Sequence, residues 1–358
     1  MSPGLRRAVS AAIVALAAVP LLVRADGGAP RMPGPAPSPR RVGAAAENTR
    51  CEGCHAEIAV EWRASLHRQA HTDPAYQRAL AREPLAFCRG CHAPEASPDC
   101  DPPAELGALG VGCVSCHAAP GGVLASPREH GRSPAPAPHG VVQAAAFATA
   151  AACASCHEFS FPDPERRRRR ELMQSTASEH RGSPFASVSC AACHMPLVQD
   201  GRGLSHRSHA FPASRDAALV RSAVRVTAAR SGEGAVEIRL APGGAGHAFP
   251  TGDLFRRIEV RAEAVGVESQ VVAEDARYLA RRFGRAMGTD GHGIKVMLAD
   301  TRVPASGEQV VALSLGPRAR GLPIAWRVAY QRVEHPIEDE TDAAVVGGEV
   351  EIASGVLR

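Results

Sequence analysis

The sequence predicts an α+β chain, with a loop-rich, mostly helical segment over residues 47–213 and a β-sandwich over residues 217–358. Three observations predict it. The pattern Cys-x-x-Cys-His occurs five times between Cys51 and His194. The same stretch holds many Pro and Gly and few aromatic side chains, so by itself it cannot bury a large apolar core. After His194 there is no further Cys, and apolar residues begin to alternate, which is the period of half-buried strands.

The front of the chain reads as an export signal. Arg6 and Arg7 form a charged start, Ala8 to Val23 is apolar apart from Ser10, and Val23-Arg24-Ala25 fits a cleavage site. Residues 1–25 are therefore assigned as a signal peptide. The apolar run is short for a bilayer span and Pro20 interrupts it, so an uncleaved membrane anchor is the lesser alternative. Residues 26–46, rich in Pro, Gly and Ala, read as a tether.

The five motifs are Cys51, Cys54, His55; Cys88, Cys91, His92; Cys113, Cys116, His117; Cys153, Cys156, His157; and Cys190, Cys193, His194. This spacing is that of covalent haem c attachment: two thiols add to the two vinyl groups of a porphyrin, and the adjoining His ligates the iron. A zinc ribbon would not need His after every second Cys, and a thioredoxin-like site uses one pair rather than five. Five covalently bound haem c groups are expected. Successive motifs start 37, 25, 40 and 37 residues apart, so porphyrin faces would supply the interior of residues 47–213. This makes the segment a pentahaem cytochrome c domain. Cys100 is left over as a free thiol.

The charge excludes one class of partner. Removing residues 1–25 leaves 38 basic against 37 acidic residues, and ten propionates would bring the net to about −9. Nothing here favours nucleic acid. Five consecutive arginines, Arg166 to Arg170, read as a solvated helix face, with propionates or an acidic partner as the alternative. That helix is expected to start at Asp163-Pro164-Glu165 and run to Ser178.

Each iron needs a sixth ligand, and ten His remain. Glu57 to Gln69 is predicted as a helix, with Ile58, Trp62 and Leu66 on one face. His67 then stands about 18 Å along the helix from His55 at 1.5 Å per residue. Axial ligands of one iron are only about 4 Å apart, so His67 must serve a different haem. His71 is the spare. His180 closes the Arg-rich helix and is a distal candidate. His206 and His209 follow Gly201 and Gly203, which let the chain fold back, and either can ligate. One of His130 and His139 is expected to ligate; the sequence does not separate them, and His130 is the one put forward. Met195 is too near His194 to reach the far face of the same haem.

In the C-terminal part the alternating runs are Val236, Ile238, Leu240; Ile258, Val260, Ala262; Val311, Leu313, Leu315; and Ile324, Trp326, Val328, Tyr330. Ser231 to Gly234 is predicted as a hairpin turn. About seven short strands are expected, hence the sandwich. The loop Gly246-His247-Ala248-Phe249-Pro250-Thr251-Gly252-Asp253 interrupts the pattern; His247 is either an iron ligand or a surface turn, and His292 is a weaker candidate of the same kind.

Cys51 to His55 followed by Glu61-Trp62-Arg63-Ala64-Ser65-Leu66-His67, together with Gly112 to His117, Cys190 to Pro196 and the Gly246 loop, resembles multihaem c-type cytochromes of the c-552/c-554 type, with an appended C-terminal β-domain. The resemblance implies bis-His haems, with His67, His180, His209 and His247 as distal ligands. Five motifs depart from the tetrahaem pattern of that group.

Two functions follow as expectations. One is an exported electron carrier, periplasmic or extracellular, acting in an anaerobic or respiratory chain with redox partner proteins such as other cytochromes or a membrane quinol oxidoreductase. The alternative is an oxidoreductase acting on a small nitrogen or sulfur compound at a five-coordinate haem. With many candidate ligands and no catalytic cluster, the carrier is preferred; a docking or sensing module is a weaker third.

Overall fold

Every Cys-x-x-Cys-His motif lies at the end of a short helix. These are α1 (Ala44–Cys54), which is followed directly by α2 (Ala56–Ala64) across His55, then α3 (Pro74–Arg82), α4 (Ala86–His92), α5 (Ala104–Leu109), α6 (Cys113–His117), α7 (Ala151–His157), α8 (Thr176–Arg181) and α9 (Cys190–His194). Residues three apart share a helix face, so one turn points both thiols of a motif to the same side. The computed structural model describes residues 42–119, 121–127, 138–162, 171–201, 203–287, 293–334 and 344–358. The signal segment 1–25, His130, Asp163 to Arg170, His292 and His335 lie outside the described residues, as does the linker up to residue 41.

Two sequence expectations are corrected. The helix expected over Glu57 to Gln69 ends at Ala64. Ser65 turns to extended backbone, donates its hydroxyl to the Trp62 carbonyl at 2.7 Å and accepts the Arg68 amide, so its side chain competes with the helix ladder. The helix expected to run to Ser178 is a strand over Leu172–Ser175, and α8 starts only at Thr176. That strand is held by pairing with Glu158–Ser160, a non-local partner that local propensity cannot reveal.

The strands among the motifs are short: β1 (Ala118–Ala119), β2 (Gly122–Ala125), β3 (Val141–Gln143), β4 (Glu158–Ser160), β5 (Leu172–Ser175), β6 (Leu197–Gln199) and β7 (Ser205–Arg207). The apolar cluster in this part is small, with Ala44, Trp62, Leu109 and Val114 at its centre. Polar anchors supplement it. Buried Asn48 accepts the Cys113 amide at 2.7 Å, and Trp62 Nε1 donates to the Val111 carbonyl at 2.8 Å. At Gly110, φ is +59°, and a Cβ there would stand 2.5 Å from the His67 carbonyl oxygen, so glycine is required.

The C-terminal part is built differently. Helix α10 (Ala217–Ser222), capped by Asp216, leads into β8 (Val224–Gly232), β9 (Ala235–Pro242), β10 (Arg256–Val265), β11 (Val271–Leu279), β12 (Arg281–Met287), β13 (Gly293–Asp300), β14 (Gln309–Ser314), β15 (Ile324–Val333) and β16 (Val346–Leu357). One antiparallel sheet runs β11-β10-β15-β16 and a second runs β14-β9-β8; β12 and β13 pair separately. In the registers, Val260 opposes Val328 and Ile238 opposes Val311. Alternation sends Val236, Ile238 and Leu240 from one sheet and Ile258, Val260, Ile324 and Val328 from the other into a single fully buried core. Each such side chain contributes about 1.5–3 kcal/mol on burial. All four apolar runs read from the sequence lie on or at the end of these strands, and the fold as a whole is mixed α+β. The described residues belong to one compact unit.

Candidate metal centres

We number five sites by their motifs in chain order. The proximal imidazoles are held in a common way. Nδ1 of His92 lies 2.6 Å from the Ala70 carbonyl, Nδ1 of His117 2.7 Å from that of Leu124, and Nδ1 of His194 2.9 Å from that of Pro212. A carbonyl only accepts, so each Nδ1 carries the proton and donates it, leaving Nε2 with a free lone pair. At site 4, the Gln174 carboxamide lies 3.3 Å from His157 Nδ1.

Four of these imidazoles face a second one. Ring centres are 6.4 Å apart for His55 and His139, 6.2 Å for His157 and His67, 6.1 Å for His117 and His209, and 6.3 Å for His194 and His247. An iron bound through Nε2 at about 2 Å on each side would set two ring centres about 6.2 Å apart. The residues present therefore fit an iron with two axial imidazoles. Three of the four opposing rings are fixed in the same tautomer: His209 Nδ1 donates to the Arg207 carbonyl at 2.8 Å, His247 Nδ1 to that of Ala248 at 3.0 Å, and His139 Nδ1 to that of Gly140 at 3.3 Å. Burial lowers His67 to about 3 and, with Arg256 adding, lowers His157 to about 4. Both rings are neutral at physiological pH, as a ligating imidazole must be.

His67 thus faces a site other than that of His55. His209, not His206, stands opposite a proximal ring, and His206 is engaged by Glu61 instead. Of the two loop candidates, His139 faces His55, while His130 lies outside the described residues. His180 belongs to none of the four pairs. It sits beside Gly246, where a Cβ would stand 3.0 Å from Phe185 Cβ and 3.2 Å from His180 Cδ2, so a side chain there would press on both neighbours.

Site 2 differs. Among the described residues no imidazole stands at the paired spacing from His92. Tyr76 stacks on the His92 ring, with centres 3.8 Å apart and planes 7° apart, and its buried hydroxyl has no hydrogen-bond partner. His71 lies 5.7 Å from Tyr76 between ring centres, and its buried Nδ1 is likewise without a partner. Sequence reasoning missed Tyr76, and no local signal marks it.

The thiols show which sites adjoin. Cys91 lies beside Cys156, and Cys153 beside Cys190. Burial raises Cys113 to about 11 with Cys51 adding to it, and raises Cys116 to about 12 with Cys156 adding to it. Site 4 therefore borders sites 2, 3 and 5, and site 1 borders site 3. Phe211 packs edge-on to His67 at 4.3 Å and to His209 at 5.6 Å, bridging sites 3 and 4.

Paired imidazoles beside paired thiols, repeated within one unit, are the arrangement that covalently attached haem c needs. Residues 50–118 match the family described as cytochrome c554 and c-prime. The fold is similar to the crystal structure of a penta-heme cytochrome c552 from Thermochromatium tepidum, with 18% identity, a TM-score of 0.60, and coverage of 86% of this chain and 97% of that one. No curated protein sequence matches. Residues 50–118 thus carry the cytochrome c554 family match, and the wider chain shares the fold of a penta-heme cytochrome.

Proposed function

We propose that the chain is an exported pentahaem cytochrome that carries electrons between redox partner proteins in a respiratory chain. The four opposed imidazole pairs at 6.1–6.4 Å carry this reading. Haem c, once attached to each thiol pair, supplies a one-electron couple. The ligands assigned here are His55 with His139, His157 with His67, His117 with His209, and His194 with His247, with His92 proximal at site 2. The chain's own task is to present those rings in facing pairs, with Nδ1 held by a backbone carbonyl at His92, His117, His139, His194, His209 and His247. Imidazoles on both sides of four sites would leave no open position there for a substrate, which suits a carrier. His180 remains the sequence's candidate without an assigned iron.

In the same reading, residues 47–213 form the haem domain and residues 217–358 a β-sandwich, supported by the single core shared by the two sheets. The sandwich donates His247 to site 5. The charged and apolar start of the sequence supports export to the periplasm or beyond. No helix among the described residues is long and apolar enough to cross a membrane.

A second reading is favoured at site 2, where the described residues place no imidazole opposite His92. There an open axial position would take a small nitrogen or sulfur compound. His130 is the competitor for that position.

Haem counting by the pyridine haemochrome, with electron paramagnetic resonance of the oxidised protein, tests both. Five haems, all low-spin, are expected of the carrier. A high-spin signal that shifts with nitrite or hydroxylamine establishes the second reading instead.

A further inference from the structure

We infer that Glu61 is a positioning residue for site 3, holding the His209 loop so that its imidazole meets His117; this rests on reading His117 and His209 as a ligand pair. Glu61 was singled out in the sequence only as part of a resembling stretch, and the ligand assignment gives it no task. The structure places both its carboxylate oxygens on one distant loop. Oε2 accepts the backbone N–H of His209 at 2.8 Å, and Oε1 lies 3.1 Å from Nε2 of His206. The side chains of His206 and Glu61 are 17% and 23% exposed, so the bracket is largely withdrawn from water. A charge-assisted bond in such surroundings is stronger than a neutral one.

The loop cannot hold itself. It follows the three-residue ladder of β6 and β7, which pairs only Leu197 to Gln199 with Ser205 to Arg207. One turn before Glu61 on the same face of α2, Glu57 accepts the Gly201 amide at 2.9 Å. Two carboxylates four residues apart thus fasten the turn and the exit of this hairpin to one helix. That helix starts at His55, and its last residue lies three before His67, so it also spaces ligands of sites 1 and 4.

The loop held by Glu61 serves more than one site. Arg207 supplies the carbonyl for His209 Nδ1, Phe211 packs on His67, and Pro212 supplies the carbonyl for His194 Nδ1. Glu61 contacts only His209 and His206 within it, so site 3 should feel its loss first. Its carboxylate also places a negative charge beside the His209 ring. A nearby negative charge favours the oxidised, more positive iron.

The test uses the purified full-length holoprotein and three variants. His209→Ala identifies the site 3 signal by turning one haem high-spin. Glu61→Ala is expected to give that same high-spin signal with the haem count unchanged. Glu61→Gln keeps one acceptor oxygen for the His209 amide, so it should restore the low-spin spectrum while one midpoint potential moves positive. Glu61→Ala that stays fully low-spin with every midpoint unchanged overturns the inference. Should Glu61→Ala not fold, an unmoved set of potentials in Glu61→Gln overturns it equally. If His209→Ala itself stays low-spin, the ligand reading fails, separately from the role of Glu61.

Discussion

Arg302 and Glu179 join the two parts of the molecule. A guanidinium nitrogen of Arg302 donates to Glu179 Oε1 at 2.7 Å, and another donates to the Pro250 carbonyl at 3.0 Å. Glu179 Oε2 in turn accepts the Thr251 hydroxyl at 2.8 Å. The loop that presents His247 is therefore clamped from above by Arg302, just after β13, and from below by α8.

Replacing Arg302 with Ala should loosen that loop. The paired side chains are 6% and 12% exposed, so Glu179 would be left charged and buried. Breaking such a pair costs about 3–5 kcal/mol. Thermal denaturation should show a lowered Tm, and spin resonance should show a new high-spin signal from the His247 site. A variant with wild-type Tm and spectrum removes the clamp from the account.

His67→Ala should leave His157 without its facing ring and turn one haem high-spin while the haem count stays the same. An unchanged spectrum strikes His67 from the ligands.

Gly110→Ala should act on the same ligand from behind. A Cβ at φ +59° would collide with the His67 carbonyl, which also accepts the Val111 amide at 2.9 Å. A loss of about 1–3 kcal/mol is expected from the strained backbone alone, with more from the collision. Chemical denaturation checks the stability, and the optical spectrum of the folded protein reports whether His67 has shifted.

Acid should weaken the C-terminal part. Burial pushes Asp300 and Asp253 up, but Arg302 beside the first and Arg256 beside the second outweigh it and hold both below the usual carboxylate range. A carboxylate with a depressed folded value contributes stability that is present above its unfolded value, about 3.9, and lost as pH falls through the folded one. The Tm gap between the wild type and Asp300→Asn should be level between about pH 7 and 5 and narrow below about pH 4. Asp300→Asn, already without that contribution, should lose less over the same acid range; an equal loss would contradict the assignment.

The attachment motifs could be read directly because their chemistry is local: three residues within one helical turn specify them. The strands carrying Ile238, Val260, Leu313 and Val328 were also legible, since a core between sheets imposes a period of two. Which proximal ring each distal candidate faces was not. His139 and His130 lie nine residues apart in one Pro- and Gly-rich stretch, and only the packed chain shows His139 opposite His55. Ser65 ended a helix by a side-chain hydrogen bond that periodicity does not weigh. Leu172 to Ser175 became a strand because Glu158 to Ser160 lay alongside it. Asn48, Glu61 and Arg302 act at separations of 65 residues or more, beyond any local pattern.

The neighbouring thiols around Cys153 and Cys156 arrange the five motifs as a crossroads rather than a line. If haem were held at all five motifs, Cys153 and Cys156 would stand at a fork, with the motifs of Cys91 and Cys190 on two arms beyond it. Two partners could then draw from one donor at once, and damage at the fork would isolate every arm from the others, whereas damage at a tip would cost only that tip.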